Sequence, residues 1–135
     1  MNNLILFLAL AVLVILVYRM WEPFVVAPKR DVPVGTANIY FFYTDWCGFS
    51  QKAMPEWERL EEALSKASMF GTTRVKAVRV NAEEDRKTTL LYEVNGYPTI
   101  MLETSSILRV YEGKRTSEAL LQFLRETLGK ESESL

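Results

Sequence analysis

The segment from Ala37 to Tyr43, ANIYFFY, constrains the fold more than any other, because it is apolar or aromatic at nearly every position. A strand with one wet face alternates polar and apolar residues. A short, almost continuous apolar run describes a strand covered on both faces, at the centre of a sheet. Directly after it come Thr44-Asp45-Trp46-Cys47-Gly48-Phe49-Ser50 and then a long helical pattern. Ala53, Trp57, Leu60, Leu64 and Ala67 recur there at four- and three-residue steps, with Gly71 expected to close the helix. Pro55 falls inside that helix, where it lacks the N–H of an intrahelical bond and should kink the axis.

Arg74 to Val80, RVKAVRV, reads as a second buried strand. Asn81 with Glu84 three residues on reads as the capped start of a helix running through Val94 and stopped by Asn95-Gly96. Pro98 opens a strand over Thr99 to Glu103, Thr104-Ser105-Ser106 supplies a turn, and Ile107 to Tyr111 is the hairpin partner, ended by Gly113. A last helix starts near Thr116 or Ser117 and turns Leu120, Leu121, Phe123, Leu124 and Leu128 inward. The order β-α-β-α-β-β-α, with a helix crossing between the first two strands, predicts an α/β fold in which helices flank a mixed sheet. A chain of 135 residues with 49% hydrophobic side chains has room for one such domain, expected over residues 36–130, with a polar tail over 131–135.

Ahead of that domain, Leu4 to Tyr18 reads LILFLALAVLVILVY, with no charge, and Met20 and Trp21 extend the apolar surface around Arg19. This predicts one N-terminal transmembrane helix over residues 1–22, touching the lipid bilayer through residues 4–21, with Arg19 snorkelling and Trp21 at the interface. No Lys or Arg precedes the run and no small-x-small site follows it, which favours an uncleaved anchor over a signal peptide. Arg19, Lys29 and Arg30 follow the run, so the positive-inside tendency puts the folded domain of this single-pass membrane protein on the cytoplasmic side, with a lumenal or virion membrane as the other settings. Residues 23–35 carry three of the five prolines and Gly35, and read as an extended tether.

The chain has one Cys and no His. That composition excludes thiolate or imidazole zinc cages, Ser-His-Asp and Cys-His machinery, and any disulfide within the chain. A net charge of −1 provides no electrostatic footprint for a phosphate backbone, so nucleic acid is not an expected partner. Glu83-Glu84-Asp85 reads as a solvated helix start, where acids oppose the dipole favourably, and not as a metal site. The chemistry therefore concentrates on Cys47. A cysteine after a buried strand and at the first turn of a helix has unpaired backbone N–H groups and the positive dipole end facing its sulfur, which favours the thiolate.

Around this cysteine, YFFYTDWCGFSQKAMPEW resembles the active-site segment of thioredoxins and protein disulfide isomerase domains. The aromatic strand, Trp46 before the Cys, Gly48 after it, Pro55 and Trp57 all match that pattern. Gly96-Tyr97-Pro98-Thr99 resembles the family's cis-proline loop, and YEGKRTSEALLQFL its last strand and helix. The resemblance covers about residues 36–130. It implies a thioredoxin-like fold, a cis bond before Pro98, Cys47 as nucleophile, and a client-binding surface of Trp46, Gly48, Phe49, Tyr97 and Pro98. No cofactor and no metal are implied; client protein thiols or small thiols are the expected partners.

Three departures from the family's pattern decide the expected mechanism. Ser50 replaces the second cysteine of the Cys-x-x-Cys pair; its hydroxyl can hydrogen-bond a thiolate but cannot resolve a mixed disulfide. Phe49 stands where isomerases often carry His, and Phe41 stands six residues before Cys47, where a buried acid is usual. The expectation is a monothiol protein in which Cys47, assisted by Ser50, exchanges with or captures client thiols. Two rivals stand beside it. One is a thioredoxin fold that has lost catalysis and serves as an interaction module; the compact design also resembles anchored thioredoxin-like proteins of large DNA viruses. The other follows from the tetrad Cys47-Gly48-Phe49-Ser50, which resembles the signature of monothiol glutaredoxins that hold an iron–sulfur cluster with glutathione. Against it, this chain has Asp45-Trp46 before the Cys and lacks the Gly-Gly those proteins carry after the proline loop.

Overall fold

The computed structural model describes residues 2–20 and 31–129. Helix α1 (Asn2–Met20) comes first. The remaining elements are β1 (Thr36–Tyr43), α2 (Gly48–Lys66), β2 (Met69–Phe70), β3 (Thr73–Asn81), α3 (Arg86–Leu91), β4 (Thr99–Thr104), β5 (Leu108–Tyr111) and α4 (Ser117–Leu128). They build one five-stranded sheet in the order β2-β3-β1-β4-β5. β1 runs parallel to β3 and antiparallel to β4, so the ANIYFFY strand is central and the sheet is mixed.

Both faces of β1 are covered, as its composition demands. Ala37, Ile39 and Phe41 enter the larger core with Trp57 and Leu60 of α2 and Leu120 and Leu124 of α4. Phe42 enters a smaller cluster on the opposite face with Val80, Tyr92 and Met101. The stripe expected on α2 buries Ala53, Trp57, Leu60 and Leu64, and adds Ser50. Pro55 lies inside α2, unable to donate to the carbonyl of Gln51.

The expected transmembrane helix is overturned. Among the described residues no helix is long and apolar enough to cross a membrane. The charge-free apolar run Leu4–Tyr18 rises only about 22 Å at 1.5 Å per residue, against the ~30 Å of a hydrocarbon core. Asn2 and Asn3 before it and Arg19 after it add length to α1 without adding apolar length. The single-pass anchor over 1–22, the bilayer contact through residues 4–21, the membrane localisation and the cytoplasmic-side topology built on them all fall with that span. Trp21 and the tether through Arg30 lie outside the described residues, as does the polar tail over 131–135. Val34 and Gly35 form the turn that leads into β1.

Three element boundaries also differ from expectation. α2 ends at Lys66, and Gly71 (φ 57°) serves the tight turn between β2 and β3, a left-handed position that suits glycine. α3 is short and capped by Asp85, whose side chain accepts from the Thr88 N–H, because the Asn81 side chain is already engaged with Glu83 N–H and Asp45. α3 stops before Asn95-Gly96: Glu93 takes a left-handed conformation (φ 53°) and the Val94 N–H returns to the Thr89 carbonyl.

Candidate functional site

Cys47 sits where β1 hands the chain to α2. It is the N-cap residue of α2, with an extended backbone (φ −80°, ψ 115°), so its side chain faces the free N–H groups of the first helical turn. Its thiol is free and half-buried. The backbone N–H of Ser50 is the main influence holding the thiol below the ordinary range of a free cysteine; partial burial opposes this, and the Ser50 hydroxyl, the Phe49 N–H and the Arg115 charge add to it.

Ser50 is almost fully buried (1% exposed) one helical turn after Cys47. Its Oγ accepts from the Thr44 N–H at 3.4 Å, which leaves the hydroxyl proton available to the sulfur. Across the site, the Tyr97–Pro98 bond is cis, and the Tyr97 carbonyl lies 3.5 Å from Cys47 Sγ, within reach of the thiol proton. The Thr99 hydroxyl donates to the Gly96 carbonyl at 2.7 Å and ties down the other side of that loop. Trp46 (67% exposed) and Tyr97 meet nearly perpendicular with ring centroids 6.5 Å apart, and Phe49 (69% exposed) stands on the other side of the sulfur in sequence. A Cβ built on Gly48 meets nothing within 4 Å, so the approach beside the thiol is open.

The structure thus brings together all seven residues picked from the sequence: Cys47, Ser50, Trp46, Gly48, Phe49, Tyr97 and Pro98. Phe41 is no substitute acid. It is fully buried and stacked on Trp57 with ring centroids 5.0 Å apart.

Two contributions were not found in the sequence. The charge of Arg115, in the segment before α4 and 68 residues after Cys47 in the chain, adds a small pull toward the thiolate, and nothing local marks it. That segment is tightly specified. The Tyr111 hydroxyl donates to the Lys114 carbonyl at 2.8 Å, and its ring lies so close over Gly113 that any Cβ there would overlap it. Glu56 of α2 accepts from the Ser117 N–H at 2.8 Å, fastening the start of α4 to the helix that begins at Cys47. The second contribution is Asn81, whose amide donates to Asp45 at 3.1 Å and whose carbonyl oxygen accepts from the Glu83 N–H at 3.1 Å. It links the loop carrying Trp46 to the loop entering α3.

Comparison with known proteins agrees with this geometry. A family model described as thioredoxin matches residues 28–126. Protein disulfide isomerase-like 2-1 of Oryza sativa subsp. japonica is 34% identical over 98 residues, covering 71% of this chain and 25% of the relative. The crystal structure of human ERp44 is similar at a TM-score of 0.59 and 26% identity, covering 68% of this chain and 27% of that one. The first thioredoxin domain of mouse protein disulfide-isomerase A4 is similar at a TM-score of 0.58 and 25% identity, covering 67% of this chain and 62% of that one. The chain spans about a quarter of the length of the curated relatives it matches.

Proposed function

The chain belongs to the thioredoxin family of thiol–disulfide oxidoreductases, and from that premise we propose that it forms mixed disulfides with client proteins or small thiols through Cys47 alone. The observation that carries this reading is the pairing of an activated, accessible thiol with a buried Ser50 at the position one turn on.

In the forward step the Cys47 thiolate attacks one sulfur of a client disulfide. The new S–S bond forms as the client's S–S bond breaks, and the electron pair leaves on the departing client thiolate. Ser50 holds the attacking thiolate by hydrogen bonding, and Arg115 adds a positive charge. The sequence has no second cysteine, so nothing in the chain can attack the resulting mixed disulfide and release the client. Release requires a thiol from outside. Capture therefore outlasts each encounter, and turnover in a standard disulfide-reduction assay is expected to be poor. Trp46, Gly48, Phe49, Tyr97 and Pro98 form the surface on which the client segment lies, with the open side at Gly48 admitting it to the sulfur.

The test is alkylation of Cys47 followed by mass spectrometry across pH in the full chain, paired with non-reducing electrophoresis for adducts. Thiolate formation below the ordinary ~8.5 of a free cysteine, with disulfide-linked adducts that vanish in Cys47→Ser, supports the proposal. A thiol that reacts slowly at every pH and traps nothing refutes it in favour of a thioredoxin fold used purely as an interaction module.

A further inference from the structure

Strand β3 is nine residues long, but β2, its neighbour on the outer side, has only two. Thr73 and Arg74 pair there with Phe70 and Met69, and one further bond joins the Val75 N–H to the Ser68 carbonyl at 2.8 Å. On the inner side the ladder with β1 runs on from Arg74 to Asn81. Backbone groups alternate in direction along a strand. The Arg74 N–H turns inward to the Gly35 carbonyl and the Val75 N–H outward to Ser68, so Ala77 and Arg79 present their N–H and C=O groups outward. Among the described residues no backbone group bonds to them there. A strand edge left in this state is a template for one more strand.

The charges at this edge choose among strands. An open groove of about 460 Å³ lies beside it, lined by Leu64, Ser65 and Ser68 on one side and Arg74, Lys76 and Ala77 on the other. Glu61, which also lines the groove, is taken by Arg79 and by the Trp57 indole N–H. Arg74 and Lys76 are exposed, and neither has an ion pair with an acid among the described residues. Pairing with the same edge of a second copy would add the same cations across the seam and no acid to answer them, which disfavours it. A segment with its own acids meets no such penalty. Extended chain advances about 3.3 Å per residue, so a segment lying along Ala77 to Val80 needs only about one residue more to bring an acid to Lys76.

We propose that the outer edge of β3 from Ala77 to Val80 docks an extended segment of another protein as a sixth strand of the sheet, with acidic side chains at the end that meets Lys76 and Arg74. The backbone groups of Ala77 and Arg79 hold the segment, and the two cations select it. Neither contribution uses Cys47. A partner bound here stays with the chain whether or not a disulfide forms, so this proposal and the mixed-disulfide reading stand or fall separately.

The experiment measures amide hydrogen exchange by NMR on the full chain, with and without a short peptide of alternating threonine and glutamate. In the free chain the Ala77 and Arg79 amides should exchange fast, and that of Val75, bonded to Ser68, slowly. At a peptide concentration about ten times its Kd, exchange at Ala77 and Arg79 should slow about tenfold. Replacing the glutamates of the peptide by lysine should abolish binding, and the double variant Arg74→Gln, Lys76→Gln should weaken the glutamate peptide about fivefold. Both positions are exposed, so that variant keeps the core, and its unaltered exchange at Val75 checks this. Cys47→Ser should bind the peptide as the unaltered chain does. Ala77 and Arg79 amides already as slow as Val75 in the free chain would mean that the edge is covered, by this chain or by a second copy, and overturn the proposal. Binding without slowing at these two amides overturns it too, as does equal affinity for the lysine peptide or an affinity untouched by the double variant.

Discussion

On the α2/α4 face of the sheet, Phe41 stacks on Trp57 at 5.0 Å and the neighbouring positions are Ile39, Leu60, Leu102, Leu120 and Leu124, all buried. On the α3 face, Phe42 and Met101 share the space with Tyr40, Tyr92 and the buried Glu103. There the Tyr92 hydroxyl donates to the Glu103 carboxylate at 2.6 Å and lies 3.0 Å from the Tyr40 hydroxyl, to which Asn38 donates at 3.2 Å. Burial, with Glu103 beside it, pushes the Tyr92 phenol above its ordinary range, so the hydroxyl stays protonated as a donor. One face gains its stability from area and close packing, which many apolar side chains supply together. The other depends on a few directional contacts, each costly to lose. The proposed client surface belongs to the second face, where a short helix leaves apolar side chains exposed. Cys47 lies at the seam, on a helix held by the first face and opposite a loop that closes the second.

Truncation on the packed face should have the largest effect. Trp57→Ala removes the buried ring that Phe41 stacks on and the donor to Glu61, and should cost about 3–5 kcal/mol in urea unfolding. Tyr92→Phe keeps the ring and removes only the hydroxyl; a cost of about 1–3 kcal/mol is expected. A Tyr92→Phe loss equal to that of Trp57→Ala would break the distinction between the faces, whereas a loss near zero would mean that Glu103 is held adequately by other contacts.

At the seam, Ser50→Ala takes away the acceptor of the Thr44 N–H and a donor to the sulfur. It should cost about 1 kcal/mol in stability and move the pH profile of Cys47 alkylation upward. The Ser50 N–H, the main cause of the lowered thiol pKa, is retained, so the shift should be partial. A profile unmoved by Ser50→Ala would assign the activation to the helix backbone and Arg115 alone.

The smallest effect is expected at the solvent edge of the packed face. There Arg79 pairs with Glu61, and Glu58 lies 3.6 Å away. The Arg79 guanidinium is the main cause holding the Glu61 carboxyl below its ordinary range. A carboxyl depressed on folding contributes stability that is full above its unfolded value of about 4.3 and disappears as pH falls through the folded value. Arg79→Ala should therefore cost less than about 1 kcal/mol near neutral pH, and this difference from the unaltered chain should shrink on acidification below about pH 4. A difference that is constant with pH would mean that Arg79 acts through packing on Met54, 3.7 Å away, and not through charge.

Much of the sheet was readable because burial on two sides leaves a composition that nothing else explains: ANIYFFY is central, and the α2 stripe meets it. The candidate site was readable because its parts are local in sequence, Trp46 to Ser50 on one turn and Tyr97-Pro98 on one loop. Where reading failed, two local signals competed. Asn81 and Asp85 are both good caps, and a contact with Asp45, distant in sequence, engages the first and leaves the second to start α3. The N-terminal apolar run carried a strong composition signal, but its charge-free length was too short for the span it suggested.

By itself the sequence determined that the chain would fold around one buried central strand, that a single thiol would stand at a helix start, and that no second thiol would answer it. These are properties of residue type and short-range order. Only the tertiary structure decided what else bears on that thiol: the charge of Arg115 from the segment before α4, Asn81 tying the Trp46 loop to the entry of α3, and Leu90 turned outward beside Trp46. Such placements depend on strand register and helix seating summed over the whole sheet, and no local run of residues encodes them.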